Sequence, residues 1–107
     1  MTISTWNIEA ITGYQPKTTF WMDFSIADRF GPAAVQDTFD RAFADWKDNC
    51  VYLTELVMVL NHKLWQWYNA GRQNMAEMYN KLYGEADTYA QEHLTGEEAD
   101  YYYRTTD

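Results

Sequence analysis

The chain is 107 residues long, which is room for a single domain. Its 16 acidic side chains against 8 basic ones give a formal net charge of −8, which argues against a phosphate-backbone binder and against attraction to an anionic membrane surface. At 47% hydrophobic and 22% charged it has the composition of a folded domain, and its one cysteine excludes an internal disulfide framework and any cysteine-based zinc site.

Residues 1–22 read as an N-terminal arm or a short β-hairpin, and the pattern does not choose between them. Trp6, Ile8 and Ala10 alternate with Asn7 and Glu9. Gly13 to Pro16 is a turn signal, and Thr18 to Trp21 is β-favouring. The start lacks the basic and apolar regions of a signal peptide, and no window of 18 apolar residues offers a membrane span.

From Asp23 the period becomes helical. Asp23 is placed to cap a short helix through Phe30, ended by Gly31 in a left-handed cap. Pro32 then fits the first position of a second helix, where its missing N–H costs nothing. On that helix Val35, Phe39, Ala42, Phe43 and Trp46 share one face. Asp37, Arg41, Asp45 and Asp48 take the opposite face, with Asp40 beside them. A break at Asp48-Asn49 opens a third helix from Cys50 to about Asn69. The apolar steps of three and four continue across it, so one helix of roughly 35 residues, about 50 Å long, is the alternative. Two helices are favoured, because that length is unusual in so small a domain.

The third helix is apolar around most of its circumference, with Leu56, Leu60, Leu64 and Trp67 as its main stripe. Met58 and Trp65 stand off the stripe, and Glu55, His62 and Gln66 form a narrow polar strip. Such a helix belongs at the centre of a fold or carries a second face for a partner. Ala70-Gly71 ends it. A fourth helix spans about Arg72 to Leu94, with Gly84 inside it at a cost of about 1 kcal/mol relative to Ala. Thr95-Gly96-Glu97-Glu98 has the spacing of a capping box and predicts a last helix over Glu97 to Tyr103. The expectation is a mostly α fold. It is a compact bundle of four to five helices over residues 23–107, with the arm or hairpin before it.

Little in the sequence points to catalysis. His62 and His93 fall on different helices, without the spacing of a metal site, so no metal or other cofactor is expected. Cys50 lies on an apolar stripe with no histidine nearby, the usual setting of a structural thiol. There is no Gly-rich phosphate loop and no triad pattern. The expectation is a protein that is not an enzyme and has no catalytic residues.

The distribution of acid is the one positive signal. Glu85, Asp87, Glu92, Glu97, Glu98 and Asp100 follow one another without an intervening base. The Asp37, Asp45 and Asp48 face adds a second cluster. The ordinary role of such faces is solvation. The sharper role is a rigid carboxylate surface that competes for a positively charged groove. Tyr101-Tyr102-Tyr103 cannot all face inward on a helix, and Tyr102 is taken into the candidate contact set.

The runs Lys17 to Gly31 (KTTFWMDFSIADRFG) and Tyr52 to Lys63 (YLTELVMVLNHK), with the Gly-Glu-Glu and Arg-Thr-Thr-Asp segments near the end, resemble small proteins of mobile elements. These are carried by plasmids, conjugative elements and phages of low-GC Gram-positive bacteria. The resemblance covers most of residues 17–107 and brings no functional residues with it. Some small acidic proteins of such elements inhibit host defence nucleases, as anti-CRISPR and antirestriction proteins do. The resemblance therefore implies a non-enzymatic inhibitor in the bacterial cytoplasm. Its target would be a defence nuclease or its guide-RNA complex, a type II RNA-guided nuclease first. It would bind protein rather than nucleic acid or membrane, as a monomer or homodimer. The alternative is a helical protein–protein adaptor or small regulator of the element, using the face around Met58, Trp65 and the tyrosine run from Tyr101.

Overall fold

The structure, a computed structural model, describes residues 18–106. Five helices run through them: α1 (Phe20–Asp28), α2 (Pro32–Trp46), α3 (Cys50–Asn69), α4 (Gln73–His93) and α5 (Gly96–Thr106). No strand occurs among the described residues. The expected mostly-α bundle is the fold observed.

The axis of the bundle is α3. Cys50, Val51, Leu53, Leu56, Val57, Val59 and Leu60 are all buried, which covers nearly the whole circumference of its first turns. Each fully buried Leu or Val contributes about 1.5–3 kcal/mol. A helix apolar all round is stable only when enclosed. Here α4 packs most extensively against it, while α1, α2 and α5 close the remaining sides. From α4 come Met75, Tyr79, Leu82, Ala86 and Ala90, spaced at three, four and seven along one stripe.

The break between α2 and α3 is built by Asn49. Its backbone is extended (φ −112°, ψ 110°), and its side-chain oxygen accepts from the Tyr52 N–H at 3.2 Å. That satisfies one of the amides a helix start leaves open. The apolar register runs on across the break because both helices face one core, where Trp46 meets the Tyr52 ring at 4.3 Å. At the other end of α3, Arg72 N–H donates to the Trp67 carbonyl at 3.0 Å and Gly71 N–H to the Tyr68 carbonyl at 3.1 Å. This is a Schellman closure, and Gly71 takes the positive φ (74°) it requires.

Four local expectations are corrected. The arm or hairpin over 1–22 lies outside the described residues as far as position 17, but Phe20, Trp21 and Met22 are helical. Burial of Phe20, Phe24 and Ala27 along one face outweighs the β preference of Thr18 to Trp21. Asp23 is accordingly not a cap but a first-turn residue, and it accepts from the Thr19 hydroxyl at 2.8 Å. Gly31 does not close α1 in a left-handed cap. With φ 105° and ψ −175° it is the N-cap of α2, and Pro32 follows at the first helical turn. The last helix also extends to Thr106 rather than Tyr103.

Candidate functional site

The acidic residues fall into three settings. Asp37 and Asp45 are exposed and, with Arg41 between them, border a groove of about 520 Å³ between α1 and α2. Asp40 faces the other way. It accepts from the Gln36 amide at 2.8 Å and lines a second groove, about 700 Å³, between α2 and α4. Glu85 and Glu92, one face of α4, line that same groove, so carboxylates from both sequence clusters meet there. Glu97 and Asp100 are exposed on α5.

Asp48 sits at the edge of this face. It accepts from the Tyr89 hydroxyl at 2.7 Å and pairs with Lys47 at 3.2 Å. The Tyr89 bond, then the Lys47 bond, holds its carboxyl below the usual carboxylate range. Tyr89 in turn is framed by rings. Phe43 meets it edge-on at 5.2 Å and His93 stacks on it at 3.9 Å.

Two members of the predicted contact set are buried and a third is half-buried. Glu98 is 8% exposed and Tyr102 is 1% exposed, both on the inward face of α5 at a spacing of four. Asp87 is half-buried and accepts from the Tyr102 hydroxyl. Burial, then this bond, pushes the Tyr102 hydroxyl up. The exposed member of the tyrosine run is Tyr103 instead. A short helix can seat on the core only by its i, i+4 ridge, and here that ridge is Glu98 and Tyr102.

The pattern also missed a buried polar network. Lys63 is only 3% exposed. Its ammonium donates to Asp28 at 2.8 Å and to the Ser25 hydroxyl at 3.1 Å. The Tyr79 hydroxyl donates to the same Asp28 carboxylate at 2.5 Å. The network ties α1 to α3 and α4. A signal was present, since Lys63 falls between Leu60 and Trp67 on the apolar stripe of α3. Chemically the arrangement is a lock: the Ser25 hydroxyl and the Asp28 carboxylate both accept from one buried ammonium.

Cys50 shows the same inertness. Burial, then the charge of Glu98, pushes its thiol up to about 12, so it stays protonated near neutrality. Among the described residues no group of three His, Cys, Asp or Glu side chains is placed to hold a metal ion. His62 packs against the edge of Trp21 at 4.9 Å. No helix among them is long and apolar enough to cross a membrane.

A second surface is aromatic. Trp65 (53% exposed) and Met58 stand out from α3, as expected for residues off its stripe, and Tyr68 is exposed beside them. Trp65 and Tyr68 pack edge-to-face at 5.4 Å. Together with His62 of the same helix and Tyr83 and Thr106 of the neighbouring helices, Met58 and Trp65 line a groove of about 590 Å³. Trp21, Met22 and Ile26 of α1, and Phe30 (77% exposed) just past its end, are further exposed apolar side chains. Comparison with protein-family models, curated proteins and solved structures finds no match for this chain.

Proposed function

We propose that the protein is a non-enzymatic inhibitor of a bacterial defence nuclease, with the RNA-guided nuclease of type II CRISPR systems as the first target to test. It acts by binding protein. Carboxylates on α2, α4 and α5 meet the lysines and arginines with which the nuclease or its guide-RNA complex holds nucleic acid. The observation that carries this reading is the α2–α4 groove, where Asp40, Glu85 and Glu92 converge from separate helices. Helices fixed by a shared core hold these charges in place before the partner arrives, which limits the ordering cost of binding. Opposite charge on the two surfaces also speeds encounter. Asp37, Asp45, Glu97 and Asp100 extend the acidic surface beyond the groove.

The test is a reconstituted cleavage assay with a guide-loaded nuclease, scored separately for guide loading, target binding and cutting. Inhibition is expected at micromolar protein or below and falls as salt rises, because exposed charges are screened over about 8–10 Å. Changing Glu85, Glu92, Glu97 and Asp100 together to Lys abolishes it. No inhibition by the wild type overturns the reading, and full inhibition by the fourfold variant overturns this placement of the site.

The aromatic surface favours a second reading, a helical adaptor or small regulator. Trp, Tyr and Met are the side chains most used at protein interfaces. A concentration-dependent mass in solution, abolished by Trp65→Ser and without effect on any nuclease, is its expected signature.

A further inference from the structure

The α2–α4 groove contains a residue that the fold itself does not explain. Gly84 lies inside α4, where glycine weakens a helix. Positive φ occurs among the described residues only at Gly31, Gly71 and Gly96, so Gly84 is not there for a left-handed backbone. A Cβ added to it meets no atom within 4 Å, so no close neighbour demands the missing side chain. Yet Gly84 lines the groove, next to a floor of Phe39 and Phe43 and below the carboxylates of Asp40, Glu85 and Glu92. The open strip of backbone is free for something that comes from outside.

We propose that this groove docks an arginine-bearing segment of a partner protein, with one arginine stem lying over Gly84. The chemistry selects the occupant. A floor of aromatic carbon takes an aliphatic stem, and a rim of three carboxylates takes its cationic head. Among the described residues the lining holds one cation, Lys81, and it is directed to Gln36 at 3.1 Å. Arginine fits better than lysine because its planar, weakly hydrated guanidinium forks onto carboxylates and tolerates an apolar floor. The inference deepens the inhibitor reading and rests on it only for the identity of the partner. Whatever that partner is, the groove specifies the chemistry of the part that enters.

The test uses the whole chain, isotopically labelled, titrated with a helical peptide that carries arginines one turn apart. A matched peptide with glutamates at those positions is the control. Saturable amide shifts centred on Asp40, Phe43, Gly84 and Thr88 are expected with the arginine peptide alone. Gly84→Phe fills the groove without touching any charge and weakens binding about tenfold or more, whereas Gly84→Ala changes it less than about twofold. Binding unaffected by Gly84→Phe, shifts centred on α5 or on the Trp65 surface, or equal binding of the glutamate peptide would each overturn the proposal. If Gly84→Phe loses its helical circular dichroism, the wild-type shift map decides. A mass that grows with concentration in the wild type but not in Gly84→Phe makes a second copy the occupant and also overturns it. The nuclease assay separates the two levels. A wild type that does not inhibit sinks the inhibitor reading while the peptide map still judges the groove. A Gly84→Phe variant that inhibits as well as wild type sinks the groove alone.

Discussion

Two lysine–aspartate pairs in this molecule have the same chemistry and different consequences. Lys47 and Asp48 are chain neighbours, their groups 3.2 Å apart and largely in water, 36% and 74% exposed. Lys63 and Asp28 are 35 positions apart, 2.8 Å from each other, and only 4% and 9% exposed. The first pair costs little to form and holds little, because water competes for both groups. The second has lost its water, so each charge depends on its partner and on Ser25 and Tyr79. The difference lies in location rather than residue type. One pair borders the acidic groove between α2 and α4, and the other pins α1 to the core.

The sharpest way to break the comparison is to remove the lysine from each pair. Lys63→Ala strands the Asp28 carboxylate and is expected to lower unfolding stability by about 3–5 kcal/mol in urea titrations. Lys47→Ala should leave the urea midpoint almost unmoved. Equal midpoints for the two variants would show that the buried pair is no lock. Replacing the whole network by apolar groups (Asp28→Leu, Lys63→Met and Tyr79→Phe together) should restore most of the loss, since no charge is then left unpaired. Tyr79→Phe alone removes one charge-assisted bond and should cost about 1–3 kcal/mol.

These pairs also show what the sequence could and could not disclose. Helices α2, α3 and α4 were legible because long stripes such as Val35-Phe39-Ala42-Trp46 repeat at the helical period. Asn49 marked the break because a side-chain cap is a local event. Lys63 was not legible, because its meaning depends on Asp28, 35 residues away, and no periodicity carries that contact. Tyr102 and Glu98 failed for a related reason. On a helix as short as α5, several ridges are equally able to face inward, and the acid count alone put Glu98 outside. The acidic clusters were visible as composition, but that Asp40 turns to α4 while Asp37 and Asp45 turn to α1 is a property of packing.

A smaller change sharpens the contrast from the surface side. Gly84→Ala is expected to raise stability by about 0.5–1 kcal/mol, because alanine suits a helix and finds open space there. A loss of stability would mean that the glycine serves the fold and not the groove.

The smallest effect is the pH dependence of the exposed site. Asp48 has a folded pKa below its ordinary value, because the Tyr89 hydroxyl and then Lys47 bond its charged form. The unfolded chain therefore takes up a proton first as pH falls. The stabilisation is full above the unfolded pKa near 4 and is lost as pH drops through the lowered folded value. The same bond raises the Tyr89 hydroxyl, so on the alkaline side its contribution is full below about pH 10 and fades as pH climbs through the raised value. With Asp48 largely in water, the whole contribution is less than about 1 kcal/mol. Urea midpoints of wild type and Tyr89→Phe should differ slightly at pH 7 and converge in acid, once Asp48 is protonated in the folded and the unfolded chain alike. A gap that persists in acid would mean that the Tyr89 hydroxyl acts through something other than the ionised Asp48, since Phe keeps the ring contacts with Phe43 and His93.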